Sequence, residues 1–370
     1  MFPSVILNNS PQLVNVSSMF SYNSFNTLDT IFSSTVLKGL KRLTNCSAFL
    51  GNNMSLKNSS SSPVQLSELF KDNAELTNCS LFLGVNNQEL GYQYSDDAYL
   101  DAVNRRALYI NFGATGDELF ANNPKLTDCH NAFAKCTAQG VMSDNIFGGV
   151  NNTGDYPTGL TNVAFCFHDC NVTTVLTDKL FSNQPKLAKV SGFVSGGVTG
   201  SANNLCRNVT GDMATLGTLF TSNPLLTEVR RFFESTGVTG QIPEGTSIAA
   251  SPLFAKNVLL QRADRLFANA DNITGRVPAT LFGNCPNLSS CESLFRSCSG
   301  ITDVLPGAGT DTSLQLFKCL TSETGEFKSL SNVAHLFDGC TGIYSQIPAN
   351  LFVNTPGVTN ASYAFRDCGT

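Results

Sequence analysis

Three side-chain types could carry chemistry in this sequence: thirteen cysteines, three histidines, and arginines that recur at one register. The densest set is Cys166-Phe167-His168-Asp169-Cys170, two thiols and an imidazole within five residues, all zinc-ligand types. The spacing argues against a metal. Zinc sites prefer ligands roughly two to four residues apart with a second cluster completing the tetrahedron, and no second cluster is visible. No metal or cofactor is therefore expected. The other cysteines fall into two repeating positions. Cys46, Cys79, Cys129 and Cys291 follow an anchoring Leu by three, where other copies have Val16, Val190, Val229, Ala263 or Ala361. Cys136, Cys170, Cys285, Cys298, Cys340 and Cys368 follow a Phe by three, where other copies have Asn123, Asn223 or Ala270. Exchange with Val, Ala and Asn marks small buried ladder positions, which free Cys suits.

Catalytic signatures are missing. No phosphate-binding Gly-x-x-x-x-Gly-Lys-Ser/Thr, no Gly-x-Ser-x-Gly and no His-Glu-x-x-His occurs. His130 and His335 sit at neighbouring offsets in their repeats and read as solvent-facing positions. Carboxylate chemistry of the kind that cleaves polysaccharides needs a placed acid pair. Asp96, Asp97, Asp101 and Glu118 are the nearest thing to one, and they read as a solvated helix face. No catalytic residue is assigned. For binding, the row between the Leu-Thr segment and the second anchor reads Arg230-Arg231 and then Asp264-Arg265 in consecutive repeats, with Arg262 nearby. Stacked and exposed, they would form a basic strip making bidentate contacts to carboxylate or sulfate groups of a glycan.

The elements that position these residues are repeats. Leu281-Phe282 with Cys285, Pro286, Leu288 and Cys291 leads to Leu294-Phe295 and Cys298. Leu119-Phe120 leads to Phe133 and Cys136, and Leu351-Phe352 to Phe365 and Cys368, at the same spacing. Two anchors thirteen residues apart recur at Leu7 and Phe20, Leu37 and Leu50, Phe70 and Leu83, Phe181 and Val194, Phe220 and Phe233, and Phe254 and Phe267. Degenerate copies surround Phe167 and Phe337. Eleven units, separated by 27 to 50 residues, thus cover residues 1–370. Thr-Gly-x-Ile/Val-Pro, as at Thr239 to Pro243 and Thr274 to Pro278, reads as a short extended rung. Pro four residues before Phe282 and Phe352 reads as the first turn of a short helix. A unit this small cannot bury its own Phe, Leu and Cys, so neighbours must stack. The expected fold is one continuous β/α solenoid, a leucine-rich-repeat-like array with short strands and short helical turns. Residues 84–118 form its larger insertion, and 57–63 and 196–211 its surface loops.

The composition fits an ordered core joined by polar turns, with 42% hydrophobic and 14% charged residues, 27 Phe and no Trp. A net charge of −5 offers no basic field for nucleic acid. No stretch approaches the ~20 apolar residues of a membrane span, and no export signal is visible. Twelve Asn-x-Ser/Thr sequons, among them Asn15, Asn78, Asn171, Asn272 and Asn360, follow from the abundance of these residues.

The run Leu281, Phe282, Cys285, Leu288, then Leu294, Phe295, Cys298, Ile301 and Pro306 resembles the BspA-like (Treponema-type) leucine-rich repeats. The intervals of 13 and 15 or more depart from that family's regular unit. The resemblance implies adhesion or recognition at a bacterial cell surface or on a phage tail fibre, with a host protein or surface glycan as partner. It implies no catalysis. A purely structural spacer is the alternative. Both ends fall inside repeats, so the array reads as uncapped, a fragment or a piece docked on another subunit.

Overall fold

A computed structural model describes Leu7 and residues 10–23, 36–53, 55–67, 69–85, 107–113, 119–148, 155–195, 206–245, 249–302, 316–344 and 347–369, apart from 54 and 68. The carboxylates Asp96, Asp97, Asp101 and Glu118 lie outside these residues. The chain forms two compact units, residues 1–175 with 192–208 and residues 176–191 with 209–370.

Both units are built from one rung, whose core is Leu-Thr/Ser-Asx-Cys/Val. The Leu is buried, as at Leu43, Leu76, Leu126, Leu260, Leu288 and Leu330. The following Thr or Ser ties its amide and its hydroxyl to the preceding rung. Thr77 donates both groups to the Thr44 carbonyl, at 2.9 Å each, and Thr127 does the same to Thr77. The Asx oxygen then accepts the amide two residues on, as in Asn45 to Ser47 and Asn332 to Ala334. This Asx turn is why Asn and Asp hold the position.

In the first unit these Asx residues form a file of parallel bridges, Asn15, Asn45, Asn78, Asp128 and Asn162. In the second the file runs Lys189, Glu228, Arg262, Ser290, Asn332 and Asn360. Beyond each bridge the chain is neither strand nor helix. Alternate amides reach the next rung, as in Cys46 to Asn78, Ala48 to Ser80, Leu50 to Phe82 and Asn52 to Gly84, all 2.8–3.0 Å. The amides between them close tight turns within the rung, such as Phe49 to the Cys46 carbonyl. Three residues past the bridge every rung enters the left-handed region. Ser18, Ala48, Leu81, Asn131 and Phe165 do so in the first unit, and Arg231, Arg265, Ser293, His335 and Tyr363 in the second, with φ between 50° and 58°. For a residue with a Cβ this costs about 1–2 kcal/mol, and the hydrogen bonds on both sides hold it there.

The buried residue two beyond the left-handed one is the second anchor, and these rings stack. Phe233, Phe267, Phe295, Phe337 and Phe365 follow one another at 5.3–5.5 Å between centroids. The first anchors form a second column, Phe220, Phe254 and Phe282 in the second unit and Phe70, Phe120 and Phe147 in the first.

Regular elements are few among the described residues. Strands β1 (Val64–Gln65), β2 (Tyr109–Asn111) and β3 (Thr137–Gln139) make a parallel sheet in the first unit, which also holds β4 (Thr174–Val175). The second unit holds β5 (Val209–Thr210), one helix, α1 (Met213–Leu216), and a 3-10 turn at Pro252–Phe254. The expected helical turns are thus mostly single turns closed by bonds to the third residue back, as in Gly283 to Thr280, Cys285 to Phe282 and Leu351 to Pro348. The motif Thr-Gly-x-Ile/Val-Pro does give a rung, bridging Gly240 to Ile273 and Gly275 to Ile301. Both glycines have φ above 80°, and a Cβ on Gly240 would stand 2.8 Å from the Asp212 carboxylate. Of the loop expected at 196–211, the described part is not loop-like, since Cys206 and Val209 are buried. No described helix is long and apolar enough to cross a membrane.

Candidate functional site

The left-handed turn after the bridge buries Arg230 and Arg231, which overturns an exposed strip there, whereas Arg265 is part-buried and Arg262, the bridge residue itself, stays partly exposed. Arg231 is 0% exposed, and Arg230 is buried. The rung backbone places two acids against them. Asp264 accepts from Arg230 Nε at 3.1 Å and from Arg262 at 2.7–2.9 Å, and also receives the Ser290 hydroxyl and the Glu292 amide. Glu234, itself fully buried, lies 3.4 Å from Arg231 and accepts from Arg265 at 2.5 and 2.8 Å. The cluster carries four guanidinium groups against two buried carboxylates. Only Arg262, with 41% of its side chain exposed, keeps a substantial face to solvent. Burial of a charge is tolerable only with a partner, so the same repeat stacking that brings the arginines together also requires Asp264 and Glu234. Asp264 stands at the Arg230 register, two residues past the bridge, and Glu234 six past it; the sequence displays both acids but not the turn that buries them.

The same inward positions carry polar groups elsewhere. Lys135 and Asp169, both almost fully buried, pair at 2.7 Å in the first unit. Asp338 in the second gathers Arg366 through two bonds of 2.7 and 2.8 Å, His335 Nδ1 at 2.8 Å, and Arg296 at 3.5 Å. Burial pushes the Asp338 carboxyl up, but the hydrogen bonds from Arg366 and His335 outweigh it and hold it below the usual range. His335 is therefore half-buried and paired rather than free in solvent, and His130 similarly meets Asp128 at 2.7 Å.

The Cys166-x-His168-x-Cys170 set does not converge. His168 is buried with Nδ1 3.1 Å from the Ser195 hydroxyl, and the Cys170 thiol donates to the Phe133 carbonyl at 2.9 Å. Cys166 joins the thiols of Cys129 and Cys79. All thirteen cysteines are free, and twelve are buried. The position three after a Phe does the same job when Cys or Asn fills it. Cys298, Cys340 and Cys368 donate to the anchor carbonyl of the preceding rung at 2.8–3.0 Å, and Asn257 donates from Nδ2 to the Phe220 and Asn223 carbonyls. Exchange of Asn and Cys there reflects a shared donor, a reason that small size alone did not reveal.

Among the described residues the file along the bridges, mostly Thr or Ser followed by Asx or a charged residue, is partly or fully exposed at every rung. No family model, no curated protein and no solved structure matches this chain.

Proposed function

We propose that the chain is a non-enzymatic recognition module whose rungs are coils of a leucine-rich-repeat-like β/α solenoid, binding a protein or glycan at a cell surface or virion. The observation that carries this reading is the polar file. Most rungs bring one Thr or Ser and one Asx or charged residue to the same register, next to a fixed backbone ladder, with Val14, Ala188 and Gln261 the exceptions at the first position and Ser290 at the second. Rungs repeat at about 4.8 Å, so the file offers many prepositioned hydroxyl, amide and carboxylate groups. A rigid array of this kind binds through several weak polar contacts without ordering itself first. The family resemblance points to the same class of activity and to an extracellular setting. Arg262 belongs to this face; Arg230, Arg231 and Arg265 serve the core.

The test is binding of the purified chain to intact bacterial cells and to their extracted surface glycans, beside a variant carrying Thr77→Lys and Thr161→Lys. These add bulk and charge to the file without touching the buried Leu or Cys. Binding by the parent, lost in a variant of unchanged melting temperature, supports the reading. Equal binding by both moves the contact elsewhere. A second reading, a structural spacer, is favoured by the unbroken ring column from Phe233 to Phe365, and absence of binding by either protein would select it.

A further inference from the structure

The buried thiols divide by what they touch. Cys170, Cys206, Cys298, Cys340 and Cys368 each donate to a backbone carbonyl at 2.8–3.0 Å. Cys79, Cys129 and Cys166 are instead electrostatic neighbours, with Cys129 facing both of the others. The fold makes this contact. Asn78 bridges Asp128 in parallel register, and the Cys79 amide donates to the Asp128 carbonyl at 3.0 Å, so Cys79 and Cys129 occupy one position on adjacent rungs. Their Cα atoms are then about 4.8 Å apart, within the range of about 4.4–6.8 Å that a disulfide spans. The next rung carries Val163 at that register and returns a thiol to the column three residues later, through Cys166.

We propose that Cys79, Cys129 and Cys166 form an oxidation-sensitive site that takes up one intrachain disulfide, with Cys129 in either possible pair and hydrogen peroxide as oxidant. Burial alone pushes each of these thiols up, and Cys79 and Cys166 stay well above the ordinary range. At Cys129 the neighbouring Cys166 and Cys79 thiols overcome the burial and lower it to about 6. Cys129 is thus the first nucleophile. Its sulfur attacks one peroxide oxygen, forming S–O and breaking O–O. The departing hydroxide takes the thiol proton and leaves as water. The neighbouring sulfur then attacks the sulfenic sulfur, forming S–S and breaking S–O, and the second hydroxide leaves as water with the neighbour's proton. Two thiols lose two electrons in all, and one peroxide becomes two waters. Peroxide is close to water in size, which suits a closed core.

The experiment treats the native full chain with hydrogen peroxide, in steps up to the dose that modifies the part-exposed Cys368. Free thiols are then blocked, and the chain is digested for mass spectrometry. The expected product has lost two hydrogens, contains one cross-linked peptide pair that includes Cys129, and returns to free thiols with dithiothreitol. Cys129→Val removes it, and Val is accommodated at this register in Val16, Val163, Val229 and Val333. Circular dichroism verifies that the variant folds. The proposal is overturned if Cys368 oxidises while no Cys129 cross-link forms in the folded chain. It is equally overturned if the cross-link appears only after unfolding, or if the dominant pair lies elsewhere, such as Cys298 with Cys340. The wild-type map decides the matter even if the variant misfolds.

Discussion

Replacing Glu234 by Gln tests whether the arginines at the repeat register belong to the core. The carboxylate is fully buried, and so is Arg231 beside it at 3.4 Å, while Arg265 reaches it with two hydrogen bonds. Glutamine keeps the shape and one acceptor oxygen but removes the charge. Removing one partner of a buried ion pair typically costs about 3–5 kcal/mol, because the opposite charge stays in a medium that solvates it poorly. The comparison that isolates charge from packing is the triple change Arg231→Met, Glu234→Leu and Arg265→Met. Hydrophobic replacement of a whole buried pair is often neutral, or stabilising by about 1–4 kcal/mol. Guanidinium denaturation followed by circular dichroism reads both variants; the chain has no Trp for fluorescence. A loss of several kcal/mol in Glu234→Gln with recovery in the triple variant is the expected pair of results. A loss below about 1 kcal/mol in Glu234→Gln would refute the buried placement and restore the exposed basic strip.

Two further outcomes follow from the same geometry. Asn257→Ala removes a donor shared by the Phe220 and Asn223 carbonyls, each of which keeps a backbone amide, from Asn223 and Leu226; at about 0.5–1.5 kcal/mol for each hydrogen bond lost, the denaturation midpoint should fall by an amount equivalent to about 1–3 kcal/mol. Asp338 is held below its ordinary carboxyl range when folded, whereas its unfolded value is about 3.9. Its contribution is therefore complete above about pH 4 and is lost as pH falls through the folded value. Asp338→Asn should flatten that acid limb of the stability curve, and an unchanged limb would show that other carboxylates govern it.

The repeat was legible because its signal is redundant. Phe at thirteen-residue intervals and Cys exchanging with Val mark buried positions, and the structure places Phe133, Phe267, Phe295, Cys129 and Cys291 in the core. The conformation between anchors was much less legible. A Pro before Phe282 suggests a helix when only local signals are weighed. There the chain closes only short turns, Gly283 to Thr280 and Cys285 to Phe282, and past the bridges, where each second amide is claimed by the neighbouring rung, no local pattern announces a left-handed Arg231, Phe165 or His335. The candidate site failed for the same reason. Arginines in a polar sequence read as exposed unless the turn that inverts them is known, and Arg230 with Asp264 and Arg265 with Glu234 are paired only across rungs.

That inversion also explains why so ordered a stack carries buried charge at all. Rings and Leu side chains recur at one register in every rung, so apolar contacts alone would tolerate a rung packed against the wrong neighbour. The pairs between rungs are not repeated: Lys135 meets Asp169 in the first unit, while Arg230 with Asp264 and Arg265 with Glu234 occur in the second. A rung next to any other neighbour would bury one of these charges without its complement, at a cost of several kcal/mol. The columns of Phe supply cohesion common to all pairings, and the unlike ion pairs distinguish the correct one. Uniform packing and irregular charge are therefore complementary parts of one solution to the ambiguity that repetition creates.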